Sequence, residues 1–216
     1  VKNRSPSRRG AAFSARGTKQ IMHSLRRLPV LFTWLLLSFT ALAKTVVIDA
    51  GHGGHDRGGG PGQKIPEKPY VLDIAQRLKR VLSASGYNTV MTRDGDYFVT
   101  LGGRVAIANA QRDAIFVSVH LNSARREGAN GVETYYYSGR SAKLASAIHA
   151  QVVRAAGTED RHLRQRGFYV IRNTRIPSVL CECGFLTNRA EAARLLTADH
   201  RQKIAEAIAR GVMQAY

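Results

Sequence analysis

Cysteine is nearly absent from this chain: Cys181 and Cys183 are the only two in 216 residues. They flank one residue in a run that reads as a strand, so both point to the same face. A bridge between such near neighbours would be strained. A disulfide framework is therefore excluded, and C-x-C with no other cysteine is a poor zinc site. The pair reads as small buried hydrophobes. Also missing are G-x-x-x-x-G-K-[ST], G-x-G-x-x-G and H-E-x-x-H, which argues against a nucleotide site and against one common type of zinc helix. No internal repeat and no Pro/Ser-rich linker follows residue 44, so one domain without a second module is expected over 44–216.

Acidic residues are scarce, and they are missing altogether from residues 1–43, which hold eight Lys and Arg. The formal charge of the whole is +18. What remains on 44–216 is still basic, which reads either as a solvated surface or as a preference for a polyanion such as nucleic acid or an anionic polymer. Met22 opens a short stretch with Arg26 and Arg27, followed by an apolar run from Leu28 to Leu42 that ends in Ala41-Leu42-Ala43. Basic start, apolar middle and small-x-small ending describe a secretory signal peptide over 22–43. The alternative is an uncleaved anchor, for which the run is short against the roughly 20 residues of a span. Residues 1–21 read as a disordered or untranslated extension. An exported protein, periplasmic or extracellular, without a permanent membrane span is the expectation.

From residue 44 the pattern is α/β. Thr45–Asp49 is a β-branched run typical of a buried central strand. A loop with many glycines follows, from Ala50 to about Lys68, too long to be a mere connection. Pro69 suits the first turn of a helix carrying Val71, Ile74, Leu78, Val81 and Leu82. Further strands are expected at 88–91, 114–119, 131–137, 168–171 and 178–183. Helices are expected at 101–110, from a Ser141 cap onward, at 191–196 and at 198–215. The fold class is thus a single α/β domain with an approximately six-stranded, mostly parallel sheet and helices on both faces.

Ligands of open α/β sheets sit beyond the carboxyl ends of the strands. His52 follows the first strand, His120 ends the third, and Glu182 lies near the end of the last. Two histidines at strand ends with a nearby carboxylate fit a zinc centre with three protein ligands; Glu67, at the close of the glycine loop, is the best third candidate. Each has a plainer reading. A histidine at a strand end is often only a surface group, and Glu67 could complement a helix dipole. Glu182 sits between two cysteines in an apolar strand, where a carboxylate is costly unless paired or coordinating, although alternation could place it on a wet face. His55 reads as solvated. Arg93 and Arg104 flank Asp96 and could pair with it or contact a substrate.

The segments Val-Val-Ile-Asp-Ala-Gly-His-Gly-Gly (46–54), Glu67, Thr-Arg-Asp (92–94), Leu101, Arg104, Ala108-Asn109, Ser-Val-His-Leu-Asn (118–122) and Pro-Ser-Val-Leu-Cys-Glu-Cys-Gly-Phe-Leu-Thr-Asn (177–188) occur in this order. Together they resemble the zinc-dependent N-acetylmuramoyl-L-alanine amidases of amidase type 3, over about 45–216. The resemblance implies that His52, Glu67 and His120 bind one zinc and that Glu182 is the catalytic carboxylate, a general base toward the zinc-activated water. It implies peptidoglycan as the partner and hydrolysis of the amide between the lactyl group of N-acetylmuramic acid and L-alanine. Asp49 is a candidate to orient a histidine. Some relatives carry an inhibitory helix between the strands matching 131–137 and 168–171. Here 30 residues (138–167) fill that gap and the helix from Ser141 uses about half, so an open groove is expected. A monomer is expected. Competing readings are another zinc peptidase of stem peptides, a catalytically inert peptidoglycan-binding module, and a nucleic-acid binder, which rests on charge alone and which export argues against.

Overall fold

The computed structural model describes residues 44–60, 63–126 and 128–216. The signal-peptide and extension readings for 1–43 lie outside the described residues. Among those described, no helix is long and apolar enough to cross a membrane.

Six strands form one sheet: β1 (Thr45–Ala50), β2 (Asn88–Met91), β3 (Ala114–Asn122), β4 (Val132–Tyr136), β5 (Asp160–Gln165) and β6 (Ser178–Phe185). Their order is β2-β1-β3-β6-β4-β5. Every pairing is parallel except β4 with β6. Six helices complete the domain: α1 (Lys68–Ala84), α2 (Leu101–Asn109), α3 (Ala142–Ala156), α4 (Tyr169–Asn173), α5 (Arg189–Leu195) and α6 (Ala198–Ala215).

The two faces of the sheet differ. Period-2 alternation turns Val46, Ile48, Ala50, Ile115, Val117, Val119, Val179, Cys181 and Cys183 to one side, where all are buried in one apolar cluster with residues of α1, α3 and α6. Gly211 permits the closest approach here. A Cβ on it would lie 2.4 Å from the Ile148 Cα, so α3 and α6 pack backbone to backbone at this point. On the other side Val47, Phe116 and Leu180 meet Ala108 of α2 and Val170 and Ile171 of α4 in a much smaller cluster. These two short helices leave part of the second face uncovered. The same alternation places Asp49, Ser118, His120 and Glu182 on that face.

Two expectations need correction. Residues 168–171 are not a strand: Tyr169–Asn173 is a helical turn whose Val170 and Ile171 plug the second face. A short apolar run cannot distinguish the two by periodicity. The strand of that region is β5, whose polar sequence Asp-Arg-His-Leu-Arg-Gln reflects its place at the sheet edge with β4 as its one neighbour. Ser141 does not cap α3; its hydroxyl accepts from the Ser178 amide at the start of β6 instead. Between β4 and β5 lie a short 3₁₀ turn (Gly139–Ser141) and α3, and no further helix. Both cysteines are free and buried.

Candidate metal centre

Three elements deliver the central cluster. β1 ends in the glycine loop that carries His52, the loop closes on Glu67 ahead of α1, and β3 carries His120. Glu67 is held by its own backbone, since its amide and that of Lys68 both donate to the Arg57 carbonyl (2.8 and 3.2 Å). Although it occupies the N-cap of α1, its side chain makes no capping bond. Instead it turns inward and is buried. Oε2 lies 3.0 Å from His52 Nε2 and Oε1 lies 3.0 Å from His120 Nδ1. Oε1 also accepts from the Leu121 amide at 2.8 Å. One ligand atom from each of His52, Glu67 and His120 falls within 4.8 Å of the others. The imidazoles meet edge to face, 4.9 Å between centroids. Gly51 is what lets His120 stand there, because a Cβ on it would sit 2.3 Å from the ring.

His52 adopts a left-handed backbone, φ +60°, a conformation uncommon outside glycine. Two buried arginines fix it. Arg93 donates to the carbonyls of Ala50 (2.9 Å), Gly51 (2.7 Å), Lys68 (3.0 Å) and Gly95 (2.9 Å). Arg104 donates to the carbonyls of Ala50 and His52, both at 2.6 Å, and pairs with Asp49 at 2.7 Å. They do not pair with Asp96, which instead holds Lys68 and accepts from the Gly54 amide. Asp49 accepts from Thr92 (2.6 Å), Ser118 (2.7 Å) and Arg104, so its two oxygens are committed to these donors and not to a histidine. The group that orients an imidazole is Asp56, whose Oδ2 lies 2.8 Å from His52 Nδ1. His55 is exposed and packs against Phe98, the two rings tilted by 38°.

Glu182 lies opposite His120 across the β3–β6 pair, and opposite Glu133 across β6–β4. Its neighbours differ sharply in satisfaction. Glu133 accepts from Asn122 (2.8 Å), Tyr135 (2.5 Å) and Arg161 (3.0 Å). The Oε2 of Glu182 is buried with no hydrogen-bond partner. Such an atom is costly unless something else meets it.

Electrostatics separate the two acids of the cluster. Burial alone would raise the Glu67 carboxyl, but hydrogen bonds and charge from His120 and His52 outweigh it and bring its pKa down to about 2. Burial alone would lower His120, yet the bond and charge of Glu67 raise it to about 9; His52 is raised for the same reason. Glu182 is pushed up to about 7, chiefly by burial, with Glu67 and Glu133 adding to the shift against the pull of His120. One carboxylate is therefore held ionised between two imidazoles, while the other is poised to exchange a proton near neutrality.

The donor set of two imidazoles and one carboxylate, converging at strand ends, suits zinc. Asp56 behind His52 supplies the outer partner such a ligand usually has. Glu182, whose Oε2 is unpartnered, lines the same open cleft as His52, Glu67 and His120. Fold and cluster thus define an α/β protein with a three-residue site able to hold a divalent cation beside a free carboxyl group.

Residues 46–214 match the N-acetylmuramoyl-L-alanine amidase family. The uncharacterized protein YqiI of Bacillus subtilis is 42% identical over 177 residues, covering 80% of this chain and 85% of that protein. The N-acetylmuramoyl-L-alanine amidase LytC of the same organism is 37% identical over 81% of this chain, and the match spans 36% of its length. The catalytic domain of CwlV, an N-acetylmuramoyl-L-alanine amidase from Bacillus (Paenibacillus) polymyxa, superposes with a TM-score of 0.76 at 39% identity, over 79% of this chain and 97% of that one. The chain belongs to the N-acetylmuramoyl-L-alanine amidase family and is a hydrolase.

Proposed function

We propose that this protein is a zinc-dependent amidase of peptidoglycan that hydrolyses the amide joining the lactyl group of N-acetylmuramic acid to the L-alanine of the stem peptide. The observation that carries the reading is the buried, unpartnered Oε2 of Glu182 beside the cluster of His52, Glu67 and His120. His52, Glu67 and His120 would hold one zinc. When bound there, zinc would supply a water of lowered pKa and polarise the scissile carbonyl.

The chain's own residues do the rest. Asp56 and Glu67 fix the His52 ring, and Arg104 holds the strained backbone beneath it. Glu182 takes a proton at its unpartnered carboxylate from the attacking water and passes it to the departing alanine nitrogen. A carboxyl group with a pKa of about 7 is suited to both halves of that transfer. Residues 22–43 would direct export, which puts the enzyme in the periplasm or outside the cell, where its substrate lies.

Mass spectrometry of purified peptidoglycan incubated with the protein, with and without a zinc chelator, tests this reading. Chelator-sensitive release of intact stem peptides with free L-alanine amines is the expected result. Cuts inside the stem would replace it with a peptidase, and retention on the wall without release would replace it with a binding module.

A further inference from the structure

Two arms of unlike chemistry run outward from the cluster. One is a cavity of about 390 Å³ lined by His52, His120, Phe98, Leu101, Tyr169 and Leu180. Phe98, Leu101, Phe168 and Tyr169 are each 42–54% exposed. Four large apolar side chains, half-exposed and all lining one cavity, form a patch of the kind that marks a binding surface. The other arm passes Glu182 to Asn122, Ser123 and Gly60. It continues, past the same Gly60 and Ser123, to Arg125 and Thr187. Arg125 is exposed, as is Arg126 beside it. Phe168 lines both arms, as do His52, His120 and Leu180.

The bond assigned above is equally lopsided. Its acyl side is a sugar carrying a lactyl methyl and an acetamido methyl, with C–H faces that pack on aromatic rings. Its amine side is a short peptide bearing free carboxylates. We propose that the two arms sort these halves, the glycan entering the aromatic arm and the stem peptide the polar arm, with a stem carboxylate meeting Arg125. This rests on the amidase reading and adds the direction in which the substrate lies. The volume of the aromatic arm is in the range of pockets that enclose small ligands. The guanidinium of Arg125, which lines the continuation of the other arm, matches a carboxylate in charge and in geometry, whereas a neutral sugar offers it no charge.

The test is binding of the two halves of the substrate, followed by NMR titration of the zinc-free full chain. The probes are the disaccharide N-acetylglucosaminyl-N-acetylmuramic acid with its lactyl carboxyl capped as the methylamide, neutral as in the intact substrate, and the free alanine-terminated stem peptide. The Leu101→Ala/Tyr169→Ala variant is expected to weaken the disaccharide roughly tenfold, the scale of lost apolar contacts in a pocket. Arg125→Ala is expected to weaken the stem peptide about threefold, the scale of an exposed charge pair, and to reduce the salt dependence of that binding. Phe98→Ala repeats the first arm of the test should the double variant unfold. A crossed pattern, or a disaccharide that binds the variant as tightly as the native chain, overturns the proposal. So does failure of both halves to bind. These outcomes are independent of stem release from peptidoglycan, so the sorting can fail while the amidase reading stands.

Discussion

The two faces of the sheet are built from the same strands and meet opposite demands. On the face packed by α1, α3 and α6, every second residue of β1, β3 and β6 is apolar and buried. On the other, the alternate positions of the same strands pass from Val47, Phe116 and Leu180 to Asp49, Ser118, His120 and Glu182 within one or two steps. Two short helices cover only the apolar part. Stability is thus concentrated on the first face, which frees the carboxyl ends of the strands on the second to hold charged groups at close range. Those groups would be prohibitive in the interior of the first. Substitutions on the two faces should therefore separate into two classes, those that cost stability and those that cost metal and turnover.

The largest effect expected is at the open face. His120→Ala removes one of the three donors around Glu67. It should abolish stoichiometric zinc binding, measured by metal content, and lower stem release on the order of a thousandfold, the scale seen when an enzyme loses its main electrostatic device. Metal content is read per folded chain, because Glu67 loses one of the two imidazoles that hold it ionised and the zinc-free variant is expected to be less stable as well. On the closed face the pattern inverts. Ile208→Ala empties a fully buried position and should cost about 2–5 kcal/mol in unfolding free energy, with one zinc still bound per folded chain.

Two glycines sharpen the contrast with nearly identical chemistry. A Cβ at Gly51 meets the His120 ring and one at Gly211 meets the Ile148 backbone. Gly51→Ala should weaken zinc by about 10–100-fold, as displaced ligand supports do. Gly211→Ala should leave zinc affinity unchanged and lower stability by about 1–3 kcal/mol. Loss of zinc from the Gly211 variant at full foldedness would break the division between the faces.

The smallest effect is in acid. Burial by itself would raise the Asp49 carboxyl, but the Arg104 charge and the bonds from Thr92, Ser118 and Arg104 hold it below its ordinary value. A depressed folded pKa contributes stability that is present above the unfolded value of about 3.9 and is lost as pH falls through the folded one. Stability should therefore decline below about pH 4, and Asp49→Asn, though less stable at neutral pH, should show a flatter slope there by urea unfolding. An unchanged slope would mean that Asp49 does not anchor Arg104 beneath His52.

Much of this was legible in the sequence where local pattern and environment coincide. β1 and β3 are rich in β-branched residues, and β6 is apolar on either side of Glu182, because both their faces are covered for most of their length, and α1 and α6 show helical spacing because each buries one stripe. β5 was not legible: a sheet-edge strand needs no apolar alternation, so Asp160–Gln165 looks like loop. The aromatic and branched Phe168–Ile171 looks like the strand it is not. At the site, strand-end histidines and the family resemblance brought His52, Glu67, His120 and Glu182 into view. Asp56 was missed although it stands four residues after His52 in the glycine loop. The tasks of Arg93 and Arg104 were hidden because most of their partners are backbone carbonyls, among them those of Ala50, Gly51 and His52, which lie 42 to 54 residues away, and carbonyls leave no mark on a sequence.

The central claim is that Glu182 moves the proton and does not hold the metal. Zinc content and stem release measured together on Glu182→Gln test it most directly. The account predicts one zinc per chain, as in the native protein, with release lowered by about 10²–10⁴-fold, the worth of a general base. Undiminished release by a Glu182→Gln protein that has kept its zinc would contradict it.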